Sequence, residues 1–207
     1  HNQANVRCST QQSIDQFAKI IAFRNAHHEY KDIVISGGMA TAFGCTISGK
    51  VPISDVLRVA EGLLKRGAQR LNVADTVGYE DPKQVRDLFT ELYRTIGDDI
   101  PVSAHFHDTR GLGLANVFAA LDAGVREFEA CLGGLGGCPY APGASGNIVT
   151  EDLAFMLEAM GLSTGVDLDG LLETREIMER HLNGEPTHGT FAKAGRPKGF
   201  VIKPAIF

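Results

Sequence analysis

Tryptophan is absent from this 207-residue chain, cysteine occurs four times and proline eight times. The cysteines (Cys8, Cys45, Cys131, Cys138) fall at neither CxxC nor zinc-knuckle spacing. They therefore argue against a disulfide framework or a thiolate zinc site and read as thiols of a reducing compartment. Positive charge is also scarce, with 20 Lys and Arg against 25 Asp and Glu and a net charge of -5. A nucleic-acid or anionic-membrane partner is not expected from such a balance. No apolar run approaches the ~18 residues of a membrane span. No signal peptide is visible in a chain that begins at His1 rather than Met. The expected location is the cytoplasm, or the mitochondrial matrix in a eukaryote. What is plentiful is apolar residues, at 43%, and glycine, at 24 residues. The first supplies a real core for one domain or part of a larger one.

Apolar periodicity alternates between strand and helix. Ser9 and Gln12 form a capping box ahead of a helix with Ile14, Phe17 and Ile21 on one face. Residues 32–37 read as a buried strand, followed by a Gly/Thr/Ser-rich loop to Lys50. A helix is expected over 54–66, stopped by Gly67. Residues 70–76 form the next strand, and Asp81-Pro82 opens a helix that ends at Gly97. A strand from Ile100 into His105, a helix over 112–124 and a strand over 127–132 follow. Thr150 is expected to cap a helix through Met160, and a last amphipathic helix covers 168–181. The tail 183–207 is expected to be irregular, which leaves 1–182 as the ordered domain.

Four βα units at intervals of about thirty residues indicate a parallel sheet wrapped by helices. The polar and glycine-rich loops all follow strands, the end at which a (β/α)8 barrel builds its active site. Four units cannot close such a barrel, which takes about 250 residues. The sheet is either open and doubly wound or the C-terminal half of a barrel. A first helix with no strand before it favours the second.

Two segments stand out chemically. His105-Phe-His107-Asp108-Thr109 lies at a strand end, where alternation points both imidazoles to one face and Phe106 to the other. Such a pair suits a divalent metal. Asn147 adds a neutral oxygen, and the mixed N/O set favours Mg2+ or Mn2+ over structural zinc. A carboxylate should complete it, with Asp75 and Asp108 the local candidates. Asp108 reads better as a cap for the turn into the next helix. The second segment is the glycine-rich run 133–147 that carries Cys138. A thiol there is placed for chemistry, as nucleophile or as proton donor to a carbanion, on a loop that could act as a lid. Glu151 and Asp152, in the first turn of the next helix, are read as structural carboxylates on the helix dipole.

Together these segments resemble the 3-hydroxy-3-methylglutaryl-CoA lyase family, metal-dependent lyases built on TIM barrels. The resemblance runs from about Cys45 to Leu172 and is carried by HFHDTRG at 105–111 and GLGGCPYAPGASGNIVTED at 134–152. ADTVG at 74–78 and the Gly44-Cys45 and Gly49-Lys50 pairs support it. It implies His105, His107 and Asn147 as ligands of Mg2+ or Mn2+. Cys138 would be the catalytic thiol, with His105 or Asp75 as base and Gly38, Asn72 and Gly137 around the substrate. It further implies an acyl-CoA substrate, retro-Claisen cleavage to acetyl-CoA and a keto acid such as acetoacetate, leucine breakdown as the pathway, and a homodimer. The family's first-strand Asp and Arg have no counterpart here, so the 207 residues by themselves imply an incomplete metal site.

Three departures bear on substrate. Gly38 stands where the resemblance expects tyrosine, Asn72 where it expects serine, and Arg110 replaces a tyrosine. The loss of a ring at Gly38 implies room for a different substituent on the acyl-CoA. The competing expectations are an acetyl-CoA/2-keto acid condensing enzyme of the same barrel group and a truncated, non-catalytic homologue. A cysteine hydrolase using Cys138 would lack a relay.

Overall fold

The computed structural model describes residues 1–137, 146–182 and 184–202. They fall into two compact units, the first His1–Glu129 and the second running from Ala130 through the described C-terminal residues.

The first unit is built on a four-stranded parallel sheet in the order β1 (Ser36–Met39), β4 (Arg70–Asp75), β5 (Val102–Phe106), β6 (Glu127–Glu129). Between β1 and α3 (Ile53–Lys65), the short strands β2 (Gly44–Cys45) and β3 (Gly49–Lys50) pair antiparallel. Helices α3, α4 (Pro82–Ile96) and α5 (Gly113–Asp122) connect the parallel strands, and α1 (Asn2–Asn5) and α2 (Thr10–Ala26) precede them. Sequential order with one helix per crossover is the arrangement expected of consecutive βα units.

Local chemistry sets the helix ends. Ser9 Oγ accepts from Gln12 N–H at 3.1 Å and Gln12 Oε1 accepts from Ser9 N–H at 2.8 Å, closing the capping box of α2. Asp81 accepts from the N–H groups of Lys83 and Gln84 at α4, whose chain then turns out at Gly97 with φ 81°. Asp108 Oδ1 accepts the N–H of Gly113, the first residue of α5, at 2.8 Å.

The two faces of the sheet differ in chemistry. Leu71, Val73, Val102, Ala104 and Phe106 are buried on one side. Phe106 meets Phe89 of α4 edge-on, ring centroids 6.5 Å apart, and Phe43 at 6.0 Å. The other face carries Arg70, Asn72, Ser103, His105, Glu127 and Glu129, because side chains alternate and parallel partners share a face. The polar face therefore positions the candidate site, and the apolar face supplies the stability.

In the second unit, α6 (Thr150–Ala159), α7 (Leu168–His181) and α8 (Phe191–Ala194) pack around Ala154, Leu168 and Phe191. The Phe155 and Phe191 rings stack at 4.5 Å. An isolated parallel bridge links Cys131 to Val149.

Some sequence expectations shift. The first strand begins at Ser36 rather than 32, and Ile33 and Val34 are 50% and 57% exposed. Their hydrophobicity mimics a buried strand, but the ladder runs through the glycines. Gly37 is pressed so closely on Leu63 and Leu71 that a Cβ would lie 3.0 Å from Leu63 Cδ1. The strand expected over 127–132 stops at Glu129. Val149 rather than Thr150 is the N-cap of α6, and no side chain caps it.

Candidate active site

His105 lies within β5 and His107 directly beyond its end. Their rings share the polar face with centroids 5.3 Å apart. His107 is buried, and its Nδ1 has no hydrogen-bond partner among the described residues. Desolvation, aided by the neighbouring His105, lowers its pKa from 6.5 to about 4. At neutral pH the ring is thus uncharged with a lone pair available, the state that ligates a metal. His105 is more open, and its Nδ1 lies 3.1 Å from Glu129 Oε2.

Asn72 belongs to the same face. Its Nδ2 donates to Glu129 Oε1 at 2.6 Å and to Ser103 Oγ at 2.9 Å. Asp75 does not belong to it. Asp75 pairs in register with Phe106, so its carboxylate lies on the helix-facing side, fully buried, where Oδ2 accepts from Glu80 N–H at 3.4 Å. Burial raises its pKa from 3.8 to about 6, with backbone amides of the following turn and the Arg110 charge offsetting part of the rise. Arg110 donates to the carbonyls of Val77 and Gly78 and lies over the Tyr79 ring. It fastens the β4 turn to the β5 turn.

Gly38 is at the C-terminal part of β1, and a Cβ built there would meet no atom of the described residues within 4 Å. It lines a cavity of about 380 Å³ in the first unit, together with Met39, Ala42, Cys45, Val51 and Leu63.

Asn147 is a feature of the second unit. It is 7% exposed, and its Nδ2 donates to Leu135 O at 2.6 Å and Cys131 Sγ at 3.2 Å. Those bonds turn Oδ1 the other way, buried and without a hydrogen-bond partner among the described residues. The surrounding glycines are steric requirements. At Gly136 (φ 113°) a Cβ would lie 2.5 Å from Asn147 Nδ2, and at Gly146 (φ 62°) a Cβ would lie 2.3 Å from Gly134 O. Gly137 is exposed, and Cys138 lies outside the described residues.

Glu151 lies in the first turn of α6, as expected, and has a further structural role there. It is fully buried, accepts the Gly133 N–H at 3.1 Å with both oxygens, and pairs with Arg175 at 2.7 Å. Arg175 also donates to His188 O, and His188 N–H donates to Gly133 O. The pair thus pins the base of the glycine-rich segment. Asp152 accepts from the N–H groups of Thr190 and Phe191, tying α8 to α6.

Among the described residues, no group of three or more His, Cys, Asp and Glu side chains could hold a metal ion by itself. In the first unit the imidazoles of His105 and His107, and separately in the second the buried amide oxygen of Asn147, are donors of a kind that suits a divalent cation favouring nitrogen and oxygen rather than a thiolate site. Sequence reading missed Glu129. The available signal was its register, one strand over from the His-x-His pair with the same alternation.

A four-stranded sheet in sequential parallel order, with one helix per crossover, is the architecture of part of a TIM barrel. Residues 1–178 match the HMGL-like family, and the chain belongs to that family. It is 38% identical to hydroxymethylglutaryl-CoA lyase YngG of Bacillus subtilis over 90% of this chain and 60% of that protein. It is 39% identical to (R)-citramalyl-CoA lyase of Chloroflexus aurantiacus over 100% of this chain and 63% of that protein. An HMG-CoA lyase from Acinetobacter baumannii, solved in complex with coenzyme A and 3-methylmalate, superposes with a TM-score of 0.87 at 41% identity. That match covers 99% of this chain and 65% of the other. The chain thus spans about 60% of the length of the relatives it matches.

Proposed function

We propose that the protein acts as an acyl-CoA lyase, cleaving a 3-hydroxyacyl-CoA related to 3-hydroxy-3-methylglutaryl-CoA into acetyl-CoA and a keto acid. The observation that carries the reading is the paired His105 and His107 on the polar face of β5, rings 5.3 Å apart. The names of the relatives support it. His105, His107 and Asn147 would hold the divalent ion, Mg2+ or Mn2+. When bound, such an ion supplies positive charge that lowers the pKa of the substrate hydroxyl and orients it.

In the cleavage, the hydroxyl proton leaves, the electron pair of its O–H bond forms the new carbonyl bond, and the C–C bond electrons pass to the acetyl-CoA enolate. The base belongs on the face that carries His105, because Asp75 projects from the opposite one. Cys138 then gives its thiol proton to the enolate carbon, with the glycine-rich segment excluding water. Asp75 serves the turn that follows β4, through its bond to Glu80 N–H. Glu151 and Arg175 hold Gly133, and so the start of the segment that leads to Cys138. A reducing aqueous compartment, cytoplasm or mitochondrial matrix, suits the buried thiols Cys8 and Cys45. A homodimer and a place in leucine breakdown belong to the same reading.

For the substrate, the 39% identity to (R)-citramalyl-CoA lyase favours a second reading, a thioester whose C3 carries the carboxylate directly rather than through a methylene. The deciding experiment is acetyl-CoA release from 3-hydroxy-3-methylglutaryl-CoA and from citramalyl-CoA, with Mn2+ and with chelator. Metal-dependent release from either thioester supports lyase activity, and the faster of the two names the substituent. No release from any 3-hydroxyacyl-CoA would refute it.

A further inference from the structure

Glu129 is the carboxylate that the proposed chemistry leaves without a role. It ends β6 in register with His105, so both side chains project from the same face of neighbouring parallel strands. Its two oxygens have separate partners. Oε1 accepts from Asn72 Nδ2 at 2.6 Å and from Ser103 Oγ at 3.2 Å. Oε2 lies 3.1 Å from His105 Nδ1. Asn72 is itself braced on Ser103 Oγ at 2.9 Å, so the carboxylate is held from one side and directed at the imidazole on the other.

A carboxylate only accepts hydrogen bonds. His105 Nδ1 must therefore carry the hydrogen, and the lone pair of the neutral ring falls on Nε2. We propose that Glu129, braced by Asn72 and Ser103, is the positioning residue that fixes His105 as its Nδ1–H tautomer and presents Nε2 to the divalent ion. The proposal rests on the reading of His105 as a metal ligand. His107, whose Nδ1 has no hydrogen-bond partner among the described residues, receives no such orientation from them through that atom. Asn72 stands where the resemblance expects a serine, and its longer amide is what reaches Glu129. The departure at Asn72 then bears on how a ligand is held rather than on substrate contact alone. Pairs of this kind fix a ligand's ring and raise its basicity, and losing the outer partner weakens metal binding about 10–100-fold.

The test uses imidazole 15N shifts of the metal-free protein at mildly alkaline pH, together with Mn2+ affinity from EPR titration. Wild-type His105 should report Nδ1–H. Glu129→Ala should move it toward the Nε2–H form that an unconstrained histidine side chain prefers and weaken Mn2+ about 10–100-fold. Asn72→Ala, which frees Oε1 only, should fall between the two. Glu129 is half exposed, so its truncation leaves the core intact. An Nε2–H tautomer in the wild type, or unchanged Mn2+ affinity in Glu129→Ala, would overturn the proposal. If the wild type binds no Mn2+ at all, the ligand reading of His105 falls and the proposal falls with it. The tautomer, measured without metal, distinguishes that failure from a failure of Glu129 to orient the ring.

Discussion

Asp75 is enclosed on the helix-facing side of β4, and burial lifts its carboxyl from 3.8 to about 6. The native state thus holds a proton that the unfolded chain releases at lower pH. Between about pH 4 and 6 stability falls as pH rises, and above that window the full cost of the buried charge applies. The shift corresponds to about 3 kcal/mol. Asp75→Asn removes the charge and keeps an oxygen for the Glu80 amide. Urea unfolding should show the variant more stable than wild type by up to about 3 kcal/mol at pH 8 and equal to it near pH 3.5. An equal difference at both pH values would show that Asp75 is not held neutral. Cys138 carries a prediction of a different kind. If it delivers the proton to the enolate, Cys138→Ala should lower kcat about 10²- to 10⁴-fold with Mn2+ affinity unchanged. A fall in metal binding instead would place the thiol in the ligand set.

At the scale of elements, the clearest signals were those with their own local chemistry. Helix α7 spans the residues that its amphipathic pattern predicts, and α2 and α4 start at the Ser9 and Asp81 caps. Hydrophobicity misled at β1, where Ile33 and Val34 stay exposed and the ladder uses the glycines instead. The His-x-His pair was visible because alternation along one strand is a local rule. Glu129 was not, since its role depends on register between two strands far apart in the chain. Glu151 was legible only as an acid in a first turn, because its partner Arg175 lies on another helix. Their pairing is buried, and breaking such a pair from one side costs about 3–5 kcal/mol. Glu151→Gln should therefore lower stability by about that amount in thermal unfolding. The double variant Glu151→Gln, Arg175→Met should recover part of the loss, because it leaves no unpaired charge. A double variant no more stable than the single would mean that the pair acts mainly by holding Gly133.

For the whole molecule, the chain spans about 60% of its relatives and contains four consecutive parallel strands with one polar face. Within that frame Gly38 is the position where substrate choice is open to test. Gly38→Tyr places the ring that the resemblance expects at a position where a Cβ meets no atom of the described residues within 4 Å. It should move the ratio of kcat/KM toward 3-hydroxy-3-methylglutaryl-CoA and away from citramalyl-CoA by about tenfold or more. An unchanged ratio would remove Gly38 from the substrate pocket.

In the proposed function, His105, His107 and Asn147 would hold one divalent ion. Mn2+ binding followed by EPR in the wild type, His107→Ala and Asn147→Ala tests it most directly. The account predicts one bound ion per chain in the wild type and affinity reduced at least about 100-fold in each variant. Wild-type affinity in either variant would contradict it.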